Sequence, residues 1–170
     1  MKKIRIATRK SELALWQAKH VGSLLSQIDN ELDVEIVGYT TEGDIRRHER
    51  LQDLGGKGLF TQELERGLLE QRVDFAVHSM KDVPANLDEL FGVVAAGERA
   101  DVRDALVGAD SILALPKGSR VGSSSGRRAA QLVRQNRDLD IVPVRGNVGT
   151  RLEKLRRGEF DALLLACAVL

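Results

Sequence analysis

Residues 4–39, IRIATRKSELALWQAKHVGSLLSQIDNELDVEIVGY, contain the pattern that decides the fold. Residues 4–8 and 34–39 have strand-like composition, and each run predicts a β-strand. Between them the apolar residues repeat with helical spacing after Ser11, a residue type that often caps a helix. The repeat consists of Leu13, Trp16, Ala18, Val21, Leu24, Leu25 and Ile28. Because strands separated by a helix are typical of parallel pairing, the stretch predicts an α/β fold.

The same alternation continues along the chain. Further strands are predicted at residues 75–77, 93–96, 105–107, 120–122, 141–144 and 160–170. Further helices are predicted after the glycines of residues 55–58 (with Phe60, Leu64 and Leu68 on one face), from 123 to 134, and from 150 to 157. Residues 40–54 contain seven charged side chains without a clear period, which predicts a loop. Strands joined by helices predict parallel sheets throughout.

The composition excludes several classes of protein. The chain has 170 residues, of which 30% are charged and 42% apolar, so it can fold without disulfides or metals. No apolar run approaches the roughly 20 residues of a membrane span, and no secretory signal precedes residue 4. One cysteine excludes an internal disulfide, and three histidines without ligand spacing predict no metal site. We expect a cytoplasmic protein without a membrane partner.

The charges are distributed unevenly, which predicts two lobes. Residues 1–98 carry 13 basic and 17 acidic side chains, whereas residues 99–157 carry 13 basic and 6 acidic ones. Arginine outnumbers lysine 11 to 2 in that basic stretch, and guanidinium groups bind carboxylates and phosphates with paired hydrogen bonds. An anionic ligand therefore competes with the alternative of a merely arginine-rich surface. Aromatic residues are only 4%, so nucleic acid is not expected.

Four polar clusters follow predicted strands, at residues 8–11, 78–82, 123–128 and 145–147. Open α/β sheets bind ligands beyond the carboxyl ends of their strands, so the clusters predict one crevice between lobes 1–98 and 99–170. The alternative is a set of polar turns that only confer solubility. The sequence Gly55-Gly56-Lys57-Gly58 is not a phosphate loop, because Leu51 and Gly58 occupy positions where that motif needs Gly and Ser or Thr.

Two of these clusters contain side chains suited to ligand binding or catalysis. Ser123, Ser124 and Ser125, followed by Arg127 and Arg128, place hydroxyls, backbone N–H groups and two cations at a helix start, which suits an anion. The alternative there is a simple N-cap followed by exposed arginines.

The sequence His78-Ser79-Met80-Lys81-Asp82-Val83-Pro84 is the densest ionisable stretch. A carboxylate beside a lysine stays ionised and can stabilise a developing cation or accept a proton. The alternative is a satisfied turn before proline.

Five segments together resemble one family, the porphobilinogen deaminases (hydroxymethylbilane synthases), across nearly the whole chain. They are residues 5–11 (RIATRKS), 13–17 (LALWQ), 55–60 (GGKGLF), 78–84 (HSMKDVP) and 145–151 (RGNVGTR). The resemblance implies a transferase of porphyrin and heme biosynthesis. Such an enzyme joins four porphobilinogen molecules head to tail into hydroxymethylbilane and releases ammonia. It also implies a dipyrromethane cofactor and, at full length, a monomer.

The resemblance also implies roles for particular residues. Asp82 matches the catalytic aspartate, which stabilises the azafulvene cation left after ammonia departs. The substrate and cofactor carry acetate and propionate groups, so fixed cations and hydrogen-bond donors are expected around them. The matching positions are Arg9, Ser11, Lys57, Ser79, Lys81, Ser123, Ser124, Ser125, Arg127, Arg128, Arg145, Gly146 and Arg151.

The implied architecture is two α/β lobes resembling the type 2 periplasmic-binding-protein fold. The family adds a third, α+β domain that holds the cofactor on a cysteine in a Gly-Gly-Cys segment, which this chain lacks. Cys167 lies in an apolar run, and we expect it to be a core residue without that role. Since residues 162–170 carry no charge, we expect a buried central strand there and an incomplete second lobe.

Overall fold

The computed structural model describes residues 2–46 and 58–170. It contains two compact units, Met1–Ala95 and Ala96–Leu170, each with its own β-sheet. The chain is thus a mixed α/β protein with open sheets, as its strand–helix alternation predicts. The lobes predicted from charge, 1–98 and 99–170, stay a prediction.

The first unit is built on a three-stranded parallel sheet. Strand β1 (Lys2–Arg9) lies in the centre, between β2 (Leu32–Tyr39) and β3 (Phe75–Ala76). β1 and β2 pair along their full length, and helix α1 (Glu12–Ile28) connects them. Residues 4–39 therefore form the predicted strand–helix–strand unit.

Helix α1 begins where the sequence predicts. The Ser11 hydroxyl accepts a hydrogen bond from the backbone N–H of Ala14 at 3.4 Å, so Ser11 is the N-cap. The helix packs closely against β2 at Gly22, where an added Cβ would lie 3.1 Å from a methyl group of Val34. Trp16 is 62% exposed and stacks on His20, so it does not share the buried face with Ala18.

The segment after β2 differs from its prediction. The sequence predicts a loop over residues 40–54, but Glu42–Ile45 is a short helix, α2. Residues 47–54 lie outside the described residues. A four-residue helix is too short for an apolar period to reveal it. Helix α3 is Gln62–Leu69, so Phe60 precedes this helix rather than lying on its face.

Leu64 anchors the core of the first unit. It is fully buried with Ala7 and Val73, and apolar side chains of β2, α3 and β3 pack around the three. The helix-period pattern of α3 therefore identifies its buried face, and the exposed Leu69 lies off that face.

The second unit has a four-stranded mixed sheet. Its elements are β4 (Asp104–Val107), β5 (Arg120–Gly122), α4 (Gly126–Gln135), β6 (Asp140–Val142), α5 (Val148–Arg156) and β7 (Ala162–Ala166). The strand order is β4-β7-β5-β6, and β4 runs antiparallel to β7. The expectation of parallel sheets throughout is therefore wrong here. An antiparallel edge strand on an otherwise parallel sheet is common among mixed sheets.

Two strand predictions require correction. Residues 93–96 do not form a strand; Val94 is 91% exposed, and apolar composition alone provides no hydrogen-bonding partner. The strand predicted at residues 160–170 spans only Ala162–Ala166 and continues into a 3₁₀ turn, Cys167–Val169. Its position between β4 and β5, with Leu163 fully buried, confirms the expected buried interior strand.

Truncation of Leu64 should test the core of the first unit. We expect Leu64→Ala to lower the free energy of unfolding by about 2 to 5 kcal/mol, because it leaves a cavity beside Ala7 and Val73. Leu69→Ala, in the same helix at a 57% exposed position, is the matched control and should change it much less. Urea unfolding measures both values, and equal losses would contradict this assignment of the core.

Candidate functional site

Arg9 and Asp82 meet at the carboxyl ends of neighbouring strands in the first unit. Arg9 is the last residue of β1, and Asp82 closes a 3₁₀ turn, Met80–Asp82, that follows β3. Because β1 and β3 are parallel, both strands end at the same edge of the sheet. Arg9 Nη1 lies 3.7 Å from Asp82 Oδ2, which places a cation beside the predicted catalytic carboxylate.

A second carboxylate holds Arg9 more closely. Arg9 Nε and Nη2 donate to the two oxygens of Asp44 at 3.1 and 2.6 Å. The guanidinium also lies over the Phe60 ring, 4.2 Å from its centroid, in a cation–π arrangement. The side chains of Arg9 and Asp44 are only 18% and 10% exposed, so this pair is shielded from solvent.

The surroundings of Asp44 keep it ionised. Burial raises the pKa of its carboxyl, but hydrogen bonds from Arg9 and from the Thr41 hydroxyl, at 2.8 Å, together outweigh burial. The net result is a pKa below the ordinary 3.8. Arg9 thus faces a permanent negative charge at neutral pH, and two of its donor groups are already engaged.

A cavity of about 320 Å³ lies next to Arg9 and is lined in part by Asp82 and Phe60. Its volume is at the lower end of the range for small-molecule sites. It is lined by Gly58, Leu59, Phe60, Lys81, Asp82, Val83, Pro84, Ala85 and Asn86. Burial lowers the pKa of His78, and the charge of Asp82 offsets only part of this, so His78 is neutral at pH 7. Among the described residues, the cationic groups near Asp82 are therefore Arg9, at 3.7 Å, and Lys81, which lines the same cavity.

The serines predicted for this site mainly bond within the chain. The Ser11 hydroxyl caps α1, and the Ser79 hydroxyl donates to Gln17 Oε1 at 3.0 Å. The second bond ties the 78–82 segment to helix α1 and supports the position of Asp82. Lys57 lies outside the described residues.

The second unit holds the remaining predicted residues. Arg128 Nε donates to Asp104 at 2.9 Å, and Nη2 bonds the other oxygen of that carboxylate. The Ser124 hydroxyl donates to the Val144 carbonyl at 2.6 Å, while Ser125 caps α4 by accepting from Arg128 N–H.

Ser123 is buried, and its hydroxyl accepts from Ser125 N–H. The serine hydroxyls thus stabilise the turn, as the simple N-cap alternative predicts, while Arg127 is exposed at the first turn of α4.

Three arginines of the second unit crowd together. Burial lowers the pKa of Arg151, and the positive charges of Arg128 and Arg145 lower it further. Arg151 Nε donates to the carbonyl of Gly146, at 2.8 Å. Gly146 has φ +115°, and an added Cβ would lie 2.7 Å from Thr150, so only glycine fits this turn. Like charges held together in a half-buried place favour a polyanionic ligand.

Several site residues were not predicted. Asp44, Gln17 and Asp104 each fix a predicted residue by a hydrogen bond, and Phe60 supports Arg9. The pattern Thr41-x-x-Asp44 is a helix-start signature that could have revealed α2. The other three follow no local pattern, because their partners are distant in the sequence.

Groups suited to metal binding are not found among residues 2–46 and 58–170: no three His, Cys, Asp or Glu side chains come together there. In the same residues no helix has both the length and the hydropathy that crossing a membrane requires. Cys167 is half-buried in the 3₁₀ turn after β7.

Fold and geometry together define an α/β protein with a cavity lined by Asp82 beside Arg9 in one unit and a cluster of three arginines in the other. Residues 4–170 match the family model described as "Porphobilinogen deaminase, dipyromethane cofactor binding domain". The chain belongs to this family.

Curated relatives agree with this assignment. A porphobilinogen deaminase of Chromobacterium violaceum is 51% identical over 170 residues, which cover 99% of this chain and 55% of that protein. A porphobilinogen deaminase of Xanthomonas axonopodis pv. citri is 52% identical over 170 residues, which cover 99% of this chain and 56% of that protein. The chain therefore spans about half the length of the curated relatives it matches.

Acidification should expose the contribution of Asp44 to stability. Its pKa is lowered in the folded state, so its stabilisation is present above pH 3.8 and is lost as the pH falls through the folded-state pKa. We expect Asp44→Asn to show a smaller loss of unfolding free energy between pH 7 and about pH 3 than the unsubstituted protein, measured by urea unfolding. An unchanged loss would contradict the assigned ion pair.

The arginine cluster should bind polycarboxylates. We expect citrate to raise the melting temperature, because an anion relieves the repulsion among Arg128, Arg145 and Arg151. Arg151→Gln should remove most of this effect. Arg156→Gln is the matched control on the same helix, at an exposed side chain paired with Glu153, and should retain it. Equal responses of the two variants in a thermal shift assay would exclude this site.

Proposed function

We propose that the protein containing this chain is a hydroxymethylbilane synthase, the transferase that condenses four porphobilinogen molecules head to tail and releases ammonia. The observation that carries the proposal is the Asp82 carboxylate at a small-molecule cavity, 3.7 Å from the Arg9 guanidinium. Family membership supports it, because the relatives are named porphobilinogen deaminase.

Asp82 is proposed as the catalytic residue. Loss of ammonia leaves a cationic centre conjugated with the pyrrole nitrogen of the substrate. A fixed carboxylate at the cavity stabilises that charge and accepts a hydrogen bond from the pyrrole N–H. Arg9 Nη1 lies 3.7 Å from this carboxylate, and Lys81 lines the same cavity, so both place positive charge near Asp82. Each condensation step then adds one ring and releases one ammonia.

The dipyrromethane cofactor fits the arginine cluster. Its acetate and propionate groups are carboxylates, and Arg128, Arg145 and Arg151 form a half-buried cluster of positive charge that suits them. The bound cofactor supplies the pyrrole end to which the first substrate unit is joined. Further binding roles are proposed for Arg9, Ser11, Lys57, Ser79, Lys81, Ser123, Ser124, Ser125, Arg127 and Gly146. Attachment through a cysteine outside this chain is part of the same proposal.

We propose for the two units the lobes of a type 2 periplasmic-binding-protein architecture, with the ligand crevice between them. The support comes from each unit separately. Arg9 ends β1 and Asp82 follows β3, while Ser123 and Arg145 follow β5 and β6, so polar residues lie at or after strand ends in both sheets. The full-length enzyme is proposed to be a cytoplasmic monomer that does not bind nucleic acid.

A non-catalytic binding protein with the same fold would use the arginines but has no need of Asp82. A phosphate-binding or nucleotide-binding enzyme would need an intact glycine loop motif, which residues 51–58 lack. Incubation of the full-length protein with porphobilinogen, followed by assays for ammonia and for uroporphyrin colour, distinguishes these alternatives.

Replacement of Asp82 should separate binding from turnover. We expect Asp82→Asn to bind porphobilinogen but to lower kcat at least about tenfold, which corresponds to roughly 1.4 kcal/mol of transition-state stabilisation. The matched control is Asp88→Asn, at an exposed turn where Asp88 accepts from Leu90 N–H. Its turnover should stay within about twofold of the unsubstituted enzyme. Unchanged turnover of Asp82→Asn would refute the catalytic assignment.

A further inference from the structure

Arg9 is shared unequally between two carboxylates. Asp44 receives two hydrogen bonds from it, at 2.6 and 3.1 Å, whereas Asp82 lies 3.7 Å from the remaining nitrogen, Nη1. Of the two carboxylates, Asp82 lines the cavity. The bidentate edge of the guanidinium is therefore turned away from the carboxylate that the proposed chemistry needs.

Helix α2 fixes this arrangement in two ways. Its Asp44 oxygens accept from the Thr41 hydroxyl at 2.8 Å and from the Thr41 backbone N–H at 3.4 Å, which holds the carboxylate in place. The same helix passes so close to Phe60 that a Cβ at Gly43 would lie 2.3 Å from its ring. The guanidinium carbon of Arg9 lies over that ring, 4.2 Å from its centroid. Both contacts limit how Arg9 can turn.

A guanidinium freed from Asp44 would have Asp82 as a nearby anionic partner. A bidentate Arg9–Asp82 pair would occupy both carboxylate oxygens, and the substrate would then compete with Arg9 for them. Since a closed ion pair is strongest where solvent is excluded, the 18% exposure of Arg9 makes such a capture favourable.

We propose that Asp44 is a positioning residue that occupies the bidentate edge of Arg9 and thereby keeps the Asp82 carboxylate open to substrate. This inference rests on the proposed function of Asp82. It adds that Asp44 competes with Asp82 for the Arg9 guanidinium. This role comes in addition to the stabilisation that any shielded ion pair provides.

The chain offers a matched control for a purely structural pair. Arg5 Nη2 and Nε donate to the oxygens of Asp74 at 2.9 and 3.2 Å, in the same bidentate form and in the same unit. This pair also joins β1 to the segment preceding β3, but Asp74 does not line the Asp82 cavity. Its loss should therefore affect stability without affecting Asp82.

Kinetics of the full-length holoenzyme test the role. We expect Asp44→Asn to lower kcat for porphobilinogen consumption at least about tenfold with KM changed less than about threefold, because Asp82 acts mainly in the transition state. Asp44→Glu restores the competing carboxylate and should recover most of kcat. Asp74→Asn should keep kcat within about twofold.

Crystal structures of the same variants give a readout that does not depend on activity. In Asp44→Asn the Arg9–Asp82 separation should shorten from 3.7 Å to below about 3.2 Å, ordinary hydrogen-bond distance, and in Asp74→Asn it should not change. An unsubstituted enzyme that does not consume porphobilinogen would refute the proposed function. The measured separation would still decide the role of Asp44.

An unchanged separation in Asp44→Asn would overturn the inference, and so would equal losses of kcat in Asp44→Asn and Asp74→Asn. If Asp44→Asn does not fold, Thr41→Val is tested instead, because it removes the hydroxyl that donates to Asp44 and keeps the shape of the side chain. It should lower kcat in the same direction by a smaller factor. Unchanged kcat in that variant would likewise overturn the inference.

Discussion

The parallel pairing of β1 is the constraint on which the first unit depends. β1 pairs with β2 from Lys2 to Arg9 and with β3 on its other side, so its middle is buried and its last residue emerges at the carboxyl edge. Parallel strands end at one edge of a sheet, so this pairing brings the residues after β3 beside Arg9. A shift of register by one residue would turn the apolar side chains of β1 to the opposite face and move Arg9 away from that edge.

The site arginines have two kinds of partner. Arg9 and Arg128 each form a bidentate pair with an aspartate, whereas Arg151 donates to the neutral carbonyl of Gly146. A paired guanidinium is held in a fixed geometry, and its carboxylate partner offsets part of its charge. Arg151 lies beside Arg128 and Arg145; burial lowers its pKa most, and the positive charges of these two arginines lower it further. The second unit is therefore the better candidate for holding a ligand with several carboxylates.

Local patterns predicted most of the elements, and they failed where no local signal exists. The helix α1 and its Ser11 cap follow from spacing within a few residues, as does the buried strand β7. The run at 93–96 has strand composition but lacks a partner, because pairing is not a local property. The direction of β4 could not be predicted for the same reason, since β4 and β7 are some 60 residues apart in the chain.

By itself, the sequence determined the fold class, the placement of Arg9 and Asp82 at or after strand ends, the concentration of arginines in residues 99–157, and the family resemblance. These depend on short-range periodicity and on motifs of a few adjacent residues. Only the tertiary structure decided that Asp44 and Asp82 share Arg9, that Phe60 supports it, and that the serine hydroxyls of residues 123–125 are used within the chain. The physical reason is distance along the chain: Arg9 and Asp44 are 35 residues apart, and only the packed sheet brings their charges into contact.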